Sequence, residues 1–163
     1  MSAASNLVDR RDGVAVSVAA ALIDQLWPYA ALCVWAFLAA TLLPLGSEVA
    51  LAGQIKAGLG LPVWLVIAAT VGNVSGSLFN WWLGTHVRRF ETRSWFPVAP
   101  TAIDKATAQF NRWGVWSLLL AWLPVIGDPL TLVAGILRVP LWLFLPLVTI
   151  GKAARYSIIA ALI

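Results

Sequence analysis

The sequence predicts an all-α integral membrane protein made of two inverted-topology repeats, each a re-entrant helical hairpin followed by a transmembrane helix. Three observations lead there. Of the 163 residues, 61% are hydrophobic and 11% charged, whereas soluble domains run about 25% charged. Long apolar runs are broken at two places by proline, glycine and an acid within a few residues. The broken stretches also align with each other: Pro44 with Pro124 and Glu48 with Asp128 at an offset of 80, Pro62 with Pro140 and Trp64 with Trp142 at 78, and Gly72 with Gly151 at 79. A mean hydropathy of +0.86 excludes a soluble enzyme, a nucleic-acid module and a disordered tail.

Taken in order, residues 1–12 hold the polar group Asp9, Arg10, Arg11 and Asp12 and lack the pattern of a cleaved leader. Residues 14–26 are amphipathic, with Val14, Val18, Leu22 and Leu26 on one stripe, and are expected to lie in the membrane interface. Trp27-Pro28-Tyr29 is expected to end that helix. Residues 30–43 are apolar, but as a helix they reach only about 21 Å, short of a hydrocarbon core of about 30 Å.

Pro44, Gly46 and Glu48 interrupt this run before a second short apolar piece at 49–57. The pair reads as a re-entrant hairpin, because backbone freed by a break must be buried in protein or water. Residues 61–83 form a clean span. Residues 86–112 are the one long polar stretch, with Arg88, Arg89, Arg93, Lys105 and Arg112 against Glu91 and Asp104, and with Pro97 and Pro100 denying a single helix. A second hairpin follows, residues 113–123 and 130–137 around Pro124, Gly127, Asp128 and Pro129, and then a last span at 141–163. The domain division is therefore 1–29 as tail and interfacial helix and 30–163 as one membrane domain, with repeat 1 at 30–85, a basic loop at 86–112 and repeat 2 at 113–163.

These stretches resemble the DedA superfamily of SNARE-associated, VTT-domain membrane proteins, and within it the small YqaA-like branch. The carriers are FLAATLLPLGSEVALAG at 37–53, GNVSGSLFNWWLG at 72–84, LLLAWLPVIGDPLTLVAGILR at 118–138 and GKAARY at 151–156. The resemblance implies two re-entrant loops facing each other across a bacterial inner (plasma) membrane, and work on lipids: flipping or scrambling a phospholipid or a polyprenyl-phosphate lipid, in some members coupled to protons. One departure matters. Typical relatives place arginines in the second loop, in a G-R-F-x-P-x-x-R pattern, where this chain reads AWLPVIGDP. Phosphate-binding arginines are therefore not carried over to that loop.

Candidate site residues come from charges at membrane depth. An isolated carboxylate there costs several kcal/mol, so Glu48 and Asp128 must be protonated, paired or hydrated, and could exchange protons near neutral pH. Both could also cap the second limb of their hairpins. Lys152 and Arg155 lie mid-span, three residues apart on one face. They could pair with the two acids, or replace the missing loop arginines and hold a phosphate headgroup, Arg by a fork and Lys as a point charge. Asn73 corresponds to Lys152 in the repeat and faces the same cavity if the repeat holds, and Trp122 beside the second break is a candidate lipid contact.

Gly72, Gly76, Asn80 and Gly84 recur every four residues, a stripe suited to close helix packing that could serve a homo-oligomer as readily as an internal contact. With one histidine and one cysteine, Cys33, neither metal site nor disulfide is expected, and no cofactor or catalytic residue. The expected partner is a membrane lipid with an anionic phosphate headgroup, with no nucleic acid, because the +4 net charge sits mainly in the 86–112 loop. That loop is predicted cytoplasmic. A proton- or cation-coupled small-solute transporter and a non-transporting membrane-organising protein are the alternatives.

Overall fold

The computed structural model describes residues 2–41, 46–86, 100–123 and 126–163. Pro44 and Pro124, the two prolines placed at the hairpin breaks, lie outside these residues, as does 87–99. The described elements are all helical: α1 (Ser2–Thr41), α2 (Ser47–Lys56), α3 (Pro62–Thr85), α4 (Pro100–Trp113), a 3-10 helix (Gly114–Trp122), α5 (Gly127–Ile136) and α6 (Leu141–Ala161). Three stretches are long and apolar enough to cross a membrane: Ala20–Thr41, Pro62–Thr85 and Leu141–Ala161. Val34, Val49, Trp64, Trp142 and Ile158 all point outward, an apolar exterior that lipid solvates and water would not.

The first correction concerns Pro28. The helix does not end at residues 27–29; α1 runs through Pro28 for 40 residues. Proline removes one backbone hydrogen bond, whereas ending the helix there would strip several groups of partners where no water replaces them, so the continuous helix is the cheaper solution. Residues 30–41 are consequently the end of a span-length helix, not a separate half-length limb, and the boundary at 29 is not a break in the chain's structure. Tyr29 is a tertiary anchor: its hydroxyl accepts a hydrogen bond from the Leu61 backbone N–H at 3.0 Å.

The chain turns back after α1. The Trp35 indole donates to the Gly46 carbonyl at 3.3 Å, and Tyr29 meets Leu61 beyond the far end of α2, so α2 runs antiparallel to the end of α1. Gly46 takes φ 141°, a conformation essentially restricted to glycine, at this corner. α3 then runs parallel to α1: Gly72 packs on Cys33, Gly76 on Phe37 and Ala40, and the Asn80 amide donates to the Ala40 carbonyl at 2.9 Å.

In the second half, Pro100 opens α4, where a missing N–H costs nothing. Helix therefore extends into the stretch expected to be loop, and Phe110 joins the core formed by Leu118, Leu130, Val133, Phe144 and Val148. The apolar piece after it is a nine-residue 3-10 helix, unusually long for that geometry. Gly127 and Pro129 also correct the expected break: both belong to the first turn of α5, where proline is tolerated and where a Cβ on Gly127 would strike the Ala121 carbonyl. α6 runs antiparallel to α3, since Phe144 sits by Trp81 with ring centroids 6.2 Å apart while Tyr156 reaches Asn73. It runs parallel to the 3-10 helix, with Gly151 on Leu119 and Arg155 on Trp122.

The small-residue stripe is used inside the molecule. Gly72, Gly76 and Asn80 seat α3 on α1, and Gly84 meets Leu132, Gly135 and Ile136 of α5. All four are buried, so this stripe is not open to a second copy.

Candidate functional site

Glu48 is the second residue of α2 and Asp128 the second of α5, each where the positive end of a helix dipole favours an acid. Neither is left to the dipole alone. α6 runs between them and presents Lys152 and Arg155, which separate the acids into two ion pairs: Lys152 Nζ lies 3.4 Å from Asp128 Oδ1, and Arg155 Nη2 contacts Glu48 Oε1.

The two pairs differ in their surroundings. Lys152 is only 3% exposed, and besides Asp128 it donates to Asn73 Oδ1. The Asn73 amide nitrogen donates to the Tyr156 hydroxyl at 2.7 Å, and Tyr156 donates on to Ser47 Oγ at 2.8 Å. Asp128, with a quarter of its side chain exposed, and the buried Lys152, Asn73, Tyr156 and Ser47 thus form one continuous chain across α5, α6, α3 and α2, whose last member is bonded in sequence to Glu48. Burying polar groups this deeply is tolerable only because each has a partner.

The Glu48–Arg155 pair instead borders a cleft of about 590 Å³ whose wall includes Leu119, Trp122, Ile150 and Ile158. Arg155 also donates to the Trp122 backbone carbonyl. Trp122 therefore contributes twice, by a main-chain oxygen that fixes the guanidinium and by an exposed indole at the cleft wall. An arginine held by two acceptors beside an apolar cleft can present its remaining N–H groups to an anion whose body is greasy.

The structure brings Glu48, Asp128, Lys152, Arg155, Asn73 and the Trp122 carbonyl into one region. Tyr156 and Ser47 complete it and were not singled out from the sequence. Tyr156 had a signal: it falls one helical turn after Lys152, on the same face. Replacing Tyr156 with Phe leaves the Asn73 amide and Ser47 short of a partner; the expected cost is about 1–3 kcal/mol, read as a lower melting temperature of the protein in detergent micelles.

Comparison with known proteins places this arrangement. Residues 43–163 match the family model of the VTT domain. The chain belongs to the VTT-domain (DedA) superfamily. Within that superfamily it is 41% identical over 125 residues to the inner membrane protein YqaA of Escherichia coli K12, covering 77% of this chain and 83% of that one; a protein of the same name from Shigella flexneri aligns equally. An uncharacterized protein of Haemophilus influenzae is 33% identical over 140 residues, covering 80% and 85%. No solved structure matches the chain. With its apolar spans and these relatives, it is a YqaA-like bacterial inner-membrane protein. The VTT match begins at residue 43, so it takes in the whole charged network while α1 lies before it.

Proposed function

We propose that this VTT-domain protein moves a lipid with an anionic phosphate headgroup, a phospholipid or a polyprenyl phosphate, between the leaflets of the membrane, and that it does so without a chemical step. The observation that carries this reading is the setting of the Glu48–Arg155 pair: it borders an apolar cleft, whereas the cation of the other pair, Lys152, is buried. A headgroup phosphate can take the place of Glu48 on the guanidinium fork, while the Trp122 carbonyl keeps Arg155 in position and the acyl chains occupy the cleft. Glu48, once displaced, has lost its cation at membrane depth and takes up a proton. Lys152 and Asp128 act behind it, holding α5 and α6 in register. A static network would also pair all four charges; the cleft at one pair is what favours transport.

The membrane arrangement belonging to this reading is an inverted repeat with two re-entrant hairpins. α2 and α5, ten residues each, reach about 15 Å, half of the hydrocarbon core. In the first half the end of α1 runs parallel to α3; in the second the 3-10 helix runs parallel to α6; and α3 and α6 are mutually antiparallel. Those directions support opposite orientations for the halves, the design that places a site near the midplane. Arg88, Arg89, Arg93, Lys105 and Arg112 put the 86–112 connection on the cytoplasmic side.

The test is reconstitution into liposomes carrying fluorescent phospholipid or polyprenyl phosphate. Wild type should equilibrate at least one of these lipids between leaflets, and Arg155→Ala should fall to the rate of protein-free vesicles. Folded wild type that moves neither lipid would overturn the reading.

A further inference from the structure

α2 and α5 end in the same way. After α2, the Gly58 N–H bonds the Ile55 carbonyl and the Leu59 N–H the Gln54 carbonyl; after α5, the Arg138 N–H bonds the Gly135 carbonyl and the Val139 N–H the Ala134 carbonyl. This closure requires a left-handed residue, and glycine is the ordinary occupant. Gly58 supplies it at φ 65°. At the corresponding place in the second half stands Arg138, at φ 52°, the one non-glycine residue with positive φ among the described residues. An L-residue is strained there, and such outliers concentrate at functional positions.

What the arginine gains is its location. Val139, its neighbour, shares a core cluster with Phe110 of α4, so the α5–α6 turn and α4 sit at the same end of the molecule. On α4, Lys105 and Arg112 are seven residues apart and therefore on one face, opposite buried Phe110, and both are exposed, as is Arg138. Exposed Trp113 and Trp142 stand beside them in sequence, and the Arg112 guanidinium lies 5.7 Å from the Trp113 ring centre. α4 carries a single acid, Asp104, against these cations. Tryptophans anchor at the level of lipid headgroups, and cations beside them meet the phosphates of that layer.

We propose that Arg138, with Lys105 and Arg112, forms a surface site for the headgroups of anionic phospholipids at this end of the molecule, separate from Arg155 and its cleft. The strained cap is retained because glycine in its place would remove a headgroup contact. The site does not depend on lipid being transported.

The experiment counts phospholipids retained by the full chain in detergent, by native mass spectrometry, on titration with phosphatidylglycerol and separately with phosphatidylcholine. Arg138→Gly should melt at a higher temperature than wild type yet bind phosphatidylglycerol about fivefold more weakly, the effect of one surface charge. Arg138→Gln, which keeps the side-chain strain, should weaken binding equally, and Arg138→Lys should largely preserve it. Phosphatidylcholine retention should not change. Wild-type phosphatidylglycerol retention by both Arg138→Gly and Arg138→Gln would overturn the proposal. So would loss of retention in Arg155→Ala alone, which would assign the bound lipid to the cleft.

Discussion

Lys152→Met should destabilise the folded protein by about 3–5 kcal/mol, the cost of removing one partner of a buried ion pair. The effect is large because two groups lose their partner at once. Asp128 loses its cation at the N-terminus of a helix that is otherwise almost wholly buried, and the Asn73 carbonyl oxygen loses its donor. The buried Asn73 oxygen cannot be rehydrated without opening the contact between α3 and α6. Unfolding in mixed micelles should show the loss directly. The companion variant identifies its cause: Lys152→Met combined with Asp128→Leu should recover most of it, since replacing both members of a buried pair with apolar residues of similar volume is often neutral or stabilising by about 1–4 kcal/mol. A Lys152→Met protein as stable as wild type would show that the pair does not hold these helices together.

The second large effect is expected at Gly135. A Cβ there would meet the Trp81 carbonyl and come within 3.0 Å of the Gly84 Cα, and the atoms in the way are backbone, so no side chain can rotate aside. Gly135→Ala must push α5 off α3 and should cost at least the upper part of the ~1–3 kcal/mol seen for overpacked cores. Gly53 in α2 is the internal control, because an added Cβ there has nothing within 4 Å. Gly53→Ala should therefore stabilise by about 0.5–1 kcal/mol through its effect on the unfolded chain. The same chemical change, with opposite signs on two short helices, separates close approach from helix propensity. Melting temperatures of the two variants that moved in the same direction would contradict it.

How much of this was legible in the sequence depends on whether a signal was local. α3 and α6 were legible because each is a long, predominantly apolar run with proline at its start, interrupted in α6 only by Lys152 and Arg155. The charged residues of the site stood out for a similar reason: Glu48, Asp128, Lys152 and Arg155 are conspicuous against apolar neighbours. Pro28 misled because proline is a breaker by local rules, while in lipid the cost of ending a helix is set by the missing solvent. Pro129 misled in the same way, since a proline in a first turn and a proline in a break look alike until the helix start is known. Tyr156 was hidden for another reason. Its hydroxyl acts only because Asn73 and Ser47, 83 and 109 residues away, arrive on either side of it. The direction of the glycine stripe was likewise undecidable from spacing, which says that something packs closely but not which helix.

The nine residues before the second break offer one more point. A 3-10 helix rises about 2.0 Å per residue against about 1.5 Å in an α-helix, so Gly114–Trp122 covers about 18 Å where the same residues wound as α-helix would cover about 13.5 Å. The segment therefore reaches farther than an α-helix of the same length, and its terminal carbonyl, that of Trp122, is the one Arg155 grips. Rewound as α-helix, the looser coil with 3.6 residues per turn against 3.0, it would be shorter by about 4.5 Å. The 3-10 winding thus sets how far along α6 the Trp122 carbonyl reaches, and with it the level at which Arg155 is held.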